Sequence, residues 1–338
     1  LDSKKLAAME DYAFARQGTE EDRDGTRTDS VVIIKDGFLV YEKYARGYGP
    51  KDKHLIWSIT KSYINAWVGI AVREGKIGLD DLANQYLGFE ELSPDHNKIT
   101  IRNLLQMSSG LSANEGYESS PLNSTVIAML YTNGRENMGE YCFRLPMRAE
   151  PGSFVYYSSC DTNILSLILQ KIYGEDYSEF PKKKIFEPLG ITDITWEKDG
   201  SGVYVGSSYI YTTPRDLAKF GYLYLNNGNW EGKKILPNGW VTFTRTPASG
   251  YSTTPYYEGL EKDNYTAHWY ANTGVPEAGI PRPIPDAPAG TFFGSGHWGQ
   301  RIYIIPELDM VVVRMGDDRN TKFFDENRFL KSIVEAVK

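Results

Sequence analysis

Cysteine is almost absent from this chain: its 338 residues include only Cys142 and Cys160. Two are too few for a disulfide framework or for a zinc site built on paired cysteines. They could bridge each other, but the expectation is two free, semi-buried small residues. Histidine is scarce as well, and His54, His96 and His268 show no paired ligand spacing, so neither a metal nor another cofactor is expected. Long apolar runs are missing. No stretch approaches the roughly 20 residues that cross a bilayer, and no signal-like apolar region remains, so no membrane span is expected. The chain begins at Leu1 rather than Met, which suggests a removed leader, pro-segment or tag and leaves periplasmic, secreted and cytoplasmic locations open. Positive charge is also short. With 37 Lys and Arg against 44 Asp and Glu, the net charge is −7, which argues against a nucleic-acid partner. The one basic run, Lys182-Lys183-Lys184, reads as solvated surface.

What is present is the composition of a soluble globular chain, 41% hydrophobic and 24% charged, long enough to bury a sizeable core. Residues 1–16 have a helical stripe of Leu6, Met9, Ala13 and Phe14. Val31-Val32-Ile33-Ile34 and Phe38-Leu39-Val40-Tyr41 flank Asp36-Gly37, a strong hairpin signal. Ile64, Trp67, Val68, Ala71 and Val72 then repeat at helical spacing towards Gly75. Residues 80–195 read as helical segments broken by loops. One starts at a Thr100 cap and ends at Gly110; another runs over residues 163–172 up to Gly174. Thr212 or Thr213 caps a helix that opens with Pro214. Residues 248–288 look like an extended loop over one face. Strands at 301–305 and 310–314 and a helix at 324–337 close the chain. The order predicts an α+β fold: an antiparallel sheet from the two chain ends flanked by helices, with a mostly helical insertion. The expected layout is a single catalytic domain, 1–338, with an α/β part (1–79 and 200–338) and a helical part (80–199).

The chemistry centres on Trp57-Ser58-Ile59-Thr60-Lys61. Ser58 and Lys61, at i and i+3, share one helix face, so an amine stands beside a hydroxyl and can activate it. Ser58 is placed at the helix start, where free N–H groups favour developing negative charge. Three segments together, Ser58-Ile59-Thr60-Lys61, Tyr157-Ser158-Ser159 and Gly296-His297-Trp298-Gly299-Gln300, resemble in order and context the active-site motifs of the serine β-lactamase and penicillin-binding-protein superfamily. The nearer likeness is to its class C-like branch, with family VIII carboxylesterases, D-amino-acid-peptide hydrolases and 6-aminohexanoate-dimer hydrolases. Residues 99–111, Thr213-Pro214-Arg215-Asp216-Leu217-Ala218 and the strand pair around Pro306 support it.

The resemblance implies a β-lactamase/transpeptidase-like fold and an acyl-enzyme on Ser58. Lys61 would supply proton handling and positive potential. Tyr157 would act as general base and acid, its phenol made more acidic by the cation. The N–H groups of Ser58 and Gln300 would form the oxyanion hole. Gly299 would let a strand approach the substrate, Ser159, Trp298 and Tyr117 would line the pocket, and His297 would either bind a carboxylate or shape the wall. Two positions depart from the β-lactamase pattern. Ser159 stands where penicillin-recognising members usually carry Asn, and His-Trp-Gly replaces Lys-Thr-Gly, which removes a fixed cation and adds an indole. Both favour a small-molecule ester or amide substrate over a β-lactam. A class C-type β-lactamase, a D-amino-acid peptidase and a non-catalytic cell-wall-ligand-binding member are the alternatives. Glu115 and Glu118 read as solvated surface charges, and His54 as packing or pocket lining. Nothing in the sequence indicates an oligomeric state.

Overall fold

The computed structural model describes residues 2–15, 19, 25–117, 121–252, 264–319 and 324–337. The chain opens with α1 (Ser3–Ala13), capped by the Asp2 carboxylate, and then β1 (Thr28–Lys35) and β2 (Phe38–Tyr44). Their turn has Asp36 and Gly37 both at positive φ, 51° and 79°, as a tight two-residue hairpin requires. A short strand, β3 (His54–Leu55), leads into α2 (Thr60–Arg73). The next stretch is mostly helical: α3 (Ala83–Leu87), α4 (Ile101–Leu105), α5 (Thr125–Tyr131), α6 (Met138–Phe143) and α7 (Ser159–Tyr173). There follow β4 (Ile194–Trp196), β5 (Ile210–Thr212), α8 (Pro214–Leu225), β6 (Asn229–Trp230), β7 (Lys233–Lys234) and α9 (Trp240–Thr244). The chain finishes with β8 (Tyr270–Ala271), β9 (Phe292–Gly296), β10 (Gln300–Ile305), β11 (Met310–Gly316) and α10 (Glu326–Val337).

The main sheet is antiparallel, with strands in the order β2-β1-β11-β10-β9-β8, so the two chain ends meet where β1 pairs with β11. Its central strands β1, β10 and β11 are covered on both faces, which is why they read as nearly unbroken apolar runs instead of alternating ones. Val32, Ile302, Ile304, Val311 and Val313 face an inner core shared with α2, α7 and α8. Val31, Ile33, Tyr303, Ile305 and Val312 face an outer core with Met9 and Ala13 of α1 and Phe329, Leu330 and Ile333 of α10. At the centre lies α2, buried from Thr60 to Ala71. Its Trp67 is stacked on Tyr177 and Phe180, each 4.9 Å between centroids. Among the described residues no helix is long and apolar enough to cross a membrane.

The fold is the α+β arrangement that the element order predicts, with local differences. Thr100 caps α4 through a reciprocal capping box with Asn103, but the helix stops at Leu105, five residues short of Gly110. Gly110 instead permits a close backbone approach, since a Cβ there would lie 2.2 Å from the Ala149 carbonyl oxygen. The helix expected at 163–172 begins at Ser159, capped by Ser158. The 248–288 stretch contains a strand, β8, on the sheet edge, and its residues 253–263 lie outside the described residues.

The expected free thiols are contradicted: Cys142 of α6 and Cys160 of α7 form a disulfide, their Cα atoms 5.1 Å apart. The cause is the close approach of the two helices. At Gly139 a Cβ would lie 2.6 Å from Leu167 Cβ and 2.9 Å from the Asn163 carbonyl oxygen, so only glycine lets α6 settle on α7. One turn further along, Cys142 then meets Cys160. Closing a loop of 18 residues in sequence separation should stabilise the fold by about 3 kcal/mol. Replacing both cysteines with alanine is therefore expected to lower the urea midpoint, and an unchanged midpoint would show that the bond contributes nothing.

Candidate active site

Ser58 lies in a single 3-10 turn, Trp57–Ile59, that feeds α2. Trp57 takes φ 48°, a strained value for a bulky residue. The turn is held between two strands. Ile56 N–H donates to the Ile210 carbonyl of β5 at 3.0 Å. On the other side β9 lies flush against it: a Cβ on Gly296 would fall 2.3 Å from the Ile56 carbonyl oxygen, and one on Gly294 2.9 Å from Ile302 and 3.5 Å from Ile59. The glycines of β9 thus let the third motif pass directly beside the Ser58 turn.

Lys61, the second residue of α2, is 1% exposed. Its Nζ donates to Ser58 Oγ at 3.0 Å and to the Ser207 carbonyl at 3.0 Å, and it sits 4.8 Å from the centroid of the Tyr157 ring. Burial pushes its pKa down to about 8, against the pull of the Glu115 carboxylate. The Ser207 loop is fixed from α7. Asn163 Nδ2 donates to Ser207 Oγ at 2.9 Å and to the Ser159 carbonyl at 3.1 Å, while Asn163 Oδ1 accepts from Gly206 N–H at 2.9 Å.

Tyr157 stands on the loop immediately before the α7 cap, where Ser158 Oγ accepts from Asp161 N–H at 3.2 Å. The edge of Tyr265 meets its ring at 5.0 Å and 87°. Ser159 faces a residue that the sequence reading misplaced. Its N–H and its Oγ donate to the two oxygens of Glu115 at 2.6 and 2.9 Å. Glu115 is therefore half-buried within the site, not a solvated surface charge; the loop after Leu111 is drawn inwards by Arg148, which donates to the Ala113 carbonyl, and by Glu115 N–H bonding the Tyr156 hydroxyl at 3.3 Å. Burial pushes the Glu115 carboxyl up, opposed by Lys61 and by both bonds from Ser159. Glu118 lies outside the described residues.

The third motif forms a tight turn, His297–Gly299, between β9 and β10, not a continuous strand. Trp298 takes φ 58° and Gly299 φ 90°. A Cβ on Gly299 would come within 2.4 Å of both Arg314 Nη1 and Asp318 Oδ2, so the space its missing side chain leaves is filled by this buried ion pair, not by a substrate. Gln300 is fully buried, its side-chain amide donating to the Gly316 carbonyl at 2.5 Å and accepting from Gly316 N–H at 3.2 Å. His297 is packed among rings: Tyr117 stacked at 5.6 Å, Trp57 edge-on at 5.4 Å and Trp298 at 4.6 Å. Trp57 also meets Trp298 at 5.1 Å and Tyr209 at 6.2 Å, and the Arg319 guanidinium lies over the Trp298 ring.

The fold thus joins Ser58, Lys61, Tyr157 and Ser159, and joins Tyr117, His297 and Trp298 around Trp57. Glu115, Asn163, Ser207, Tyr209 and Tyr265 escaped the sequence reading; of these only Asn163, four residues after Ser159 on one helix face, left a local signal. His54 hydrogen-bonds Asp29 at 2.7 Å and packs on Tyr48. His268, close to Lys61, is buried, and that burial holds its imidazole neutral; its Nε2 pairs with Thr162 Oγ1 at 2.7 Å. Asp161, bonded by Ser109 Oγ at 2.8 Å, is pushed by burial from 3.8 up to about 7. The folded protein holds this proton more tightly than the unfolded chain does. The group's stabilising effect is therefore full below its unfolded pKa and is lost as pH rises from 3.8 to about 7. Asp161→Asn should flatten that fall in the urea midpoint; an equal slope in both proteins would contradict it.

Known proteins resemble this chain in sequence and in fold. The 6-aminohexanoate-dimer hydrolase of Paenarthrobacter ureafaciens is 24% identical over 304 residues, 88% of this chain and 74% of that one. EstCE1, described as a hydrolase with promiscuous acyltransferase activity, superposes with a TM-score of 0.70 at 17% identity, over 99% of this chain and 98% of its own. A class C β-lactamase in complex with cefoxitin gives a TM-score of 0.66 at 15% identity, over 99% of each chain. The Beta-lactamase family model matches residues 14–335. Matched over nearly its whole length and built on that fold, the chain belongs to the Beta-lactamase family, and it is a hydrolase of that serine-enzyme family.

Proposed function

We propose that Ser58 is the nucleophile of an acyl-transfer cycle that hydrolyses small esters or amides. The observation that carries this reading is the buried Lys61 ammonium, 3.0 Å from Ser58 Oγ and against the Tyr157 ring. Ser58 Oγ attacks the substrate carbonyl carbon as Tyr157 takes the hydroxyl proton. The tetrahedral oxyanion is met by the N–H groups of Ser58 and Gln300. When it collapses, the C–O or C–N bond breaks and Tyr157 gives its proton to the departing alcohol or amine. Water then attacks the Ser58 ester, losing a proton to Tyr157, which returns it to Ser58 as the carboxylic acid leaves. Lys61 keeps its charge throughout and favours the ionised phenol.

The walls favour an ester or a linear amide over a β-lactam. A serine hydroxyl at 159 cannot offer the donor and acceptor of an amide side chain together, and here it is already bonded to Glu115. His297, Trp298, Trp57 and Tyr117 present rings where a β-lactamase keeps a fixed cation. The relationship to a 6-aminohexanoate-dimer hydrolase supports including linear amides.

Incubation with a p-nitrophenyl acyl ester and intact-mass analysis tests the reading. Wild type should turn over the ester and carry an acyl increment that Ser58→Ala lacks. Tyr157→Phe should lower kcat by roughly 10²-fold or more. Absence of both turnover and increment in wild type would refute the hydrolase, and full activity in Tyr157→Phe would refute the base. In a parallel panel, short-chain esters and linear amides should outpace nitrocefin; the reverse order would overturn the substrate preference.

A further inference from the structure

The third motif turns through two consecutive left-handed residues, Trp298 at φ 58° and Gly299 at φ 90°. For a tryptophan this backbone is strained and persists only where its surroundings hold it. The ion pair of Arg314 and Asp318, 0% and 1% exposed, supplies the hold. Arg314 Nη1 donates to the Gly299 carbonyl at 2.9 Å, and Asp318 N–H donates to the Trp298 carbonyl at 3.0 Å. The guanidinium is itself immobilised. Its Nη1 and Nη2 grip the two Asp318 oxygens at 2.8 and 2.9 Å, and its Nε donates to Thr28 Oγ1 at 2.9 Å. Asp318 Oδ1 also accepts from Arg27 N–H at 2.6 Å, so the pair is anchored beside the start of β1.

The Gly299 carbonyl and the Gln300 N–H belong to one peptide unit. That unit is planar and trans, so fixing the carbonyl fixes the N–H and directs it the opposite way, out of the ion pair. Gln300 is the residue whose N–H meets the tetrahedral oxygen in the cycle above.

We propose that Arg314 is the positioning residue of the oxyanion hole: locked to Asp318, its guanidinium holds the Gly299–Gln300 peptide so that the Gln300 N–H is aimed at the oxyanion. The inference rests on the acyl-enzyme reading above. Holding β1 to β11 does not by itself call for this pair. Those strands are already in register from Ser30 with Met315 to Lys35 with Met310, and apolar side chains of similar volume often stabilise a fold as well as a buried ion pair does. Such a filling would give the Gly299 carbonyl no donor. The Gln300 side chain is bonded to Gly316, and Arg314 sets the peptide plane that precedes it.

Without the guanidinium the peptide is free to tilt, and the N–H leaves its line to the oxyanion. The ester ground state asks little of that donor, whereas the transition state and any tetrahedral adduct depend on it. A pair that only joined strands would lower the urea midpoint and leave this difference unchanged.

The test compares wild type, Arg314→Lys and the double variant Arg314→Met with Asp318→Asn, which leaves no unpaired buried charge; the urea midpoint checks folding. Two quantities report the oxyanion hole: kcat/KM for a p-nitrophenyl ester, and the inhibition constant of phenylboronic acid, which forms a tetrahedral adduct with a nucleophilic serine. The dissociation constant of the same ester on a Ser58→Ala background reports ground-state binding. In the double variant kcat/KM should fall by about 10-fold or more and boronate affinity should weaken in step, while ester affinity stays within about threefold. Arg314→Lys, which keeps a cation but not the planar fork, should lie between the two. Wild-type kcat/KM and boronate affinity in the double variant, or losses matched by an equal loss of ester affinity, overturn the proposal. If the double variant does not fold, an unmoved kcat/KM in Arg314→Lys overturns it instead. Intact-mass analysis of wild type separates this failure from that of the underlying reading: no acyl adduct on Ser58 defeats both, whereas an adduct with unmoved rates in the variants defeats this proposal alone.

Discussion

An ammonium taken out of water costs several kcal/mol unless its protons and its charge are answered, and the core of this protein is arranged to answer Lys61. The Ser58 hydroxyl and the Ser207 carbonyl accept two of its N–H bonds, and the Tyr157 ring covers it. Each of these groups comes from a different part of the chain. Asn163 holds the Ser207 loop and the start of α7 together, so the helix that presents the tyrosine motif also fixes the carbonyl under the lysine. A site of this kind cannot form until α2, α7 and the 207 loop have all docked. Reactivity and folding are linked through one buried charge.

The sheet serves the same centre by giving way to it. Gly294 and Gly296 leave out the side chains that would strike Ile302 and the Ile56 carbonyl, and Trp57 accepts a left-handed backbone so that Ser58 can turn towards Lys61. Beyond Trp57 the rings of Tyr117, His297 and Trp298 form an aromatic wall. A buried ammonium lies behind the nucleophile and an aromatic wall in front of it, with the Arg319 guanidinium over its Trp298 ring.

Sequence carried the parts of this design that depend on neighbours along the chain. The Asp36-Gly37 turn, the Thr100 and Thr213 caps and the Ser58–Lys61 spacing are short-range statements about dihedral angles and helix faces, and each is found where its residues imply. What was illegible depends on packing at a distance. The glycines of β9 look like loop composition until Ile302 and the Ile56 carbonyl are seen to occupy the space of their missing side chains. The pairing of Cys142 with Cys160 follows from the small size of Gly139 against Leu167, a contact between two helices that no local pattern encodes. Glu115 looked like any loop acid because Ser159, which binds it, is 44 residues away.

The state of Lys61 is the most direct point of attack. Lysine labelled with ¹³C at Cε, assigned by comparison with a Lys61→Gln variant, allows its titration to be followed by NMR. The buried ammonium described above should give a midpoint near about 8. A midpoint at the ordinary value of 10.5 would mean that Lys61 is solvated, and the placing of Ser58 and Tyr157 against a buried charge would be wrong.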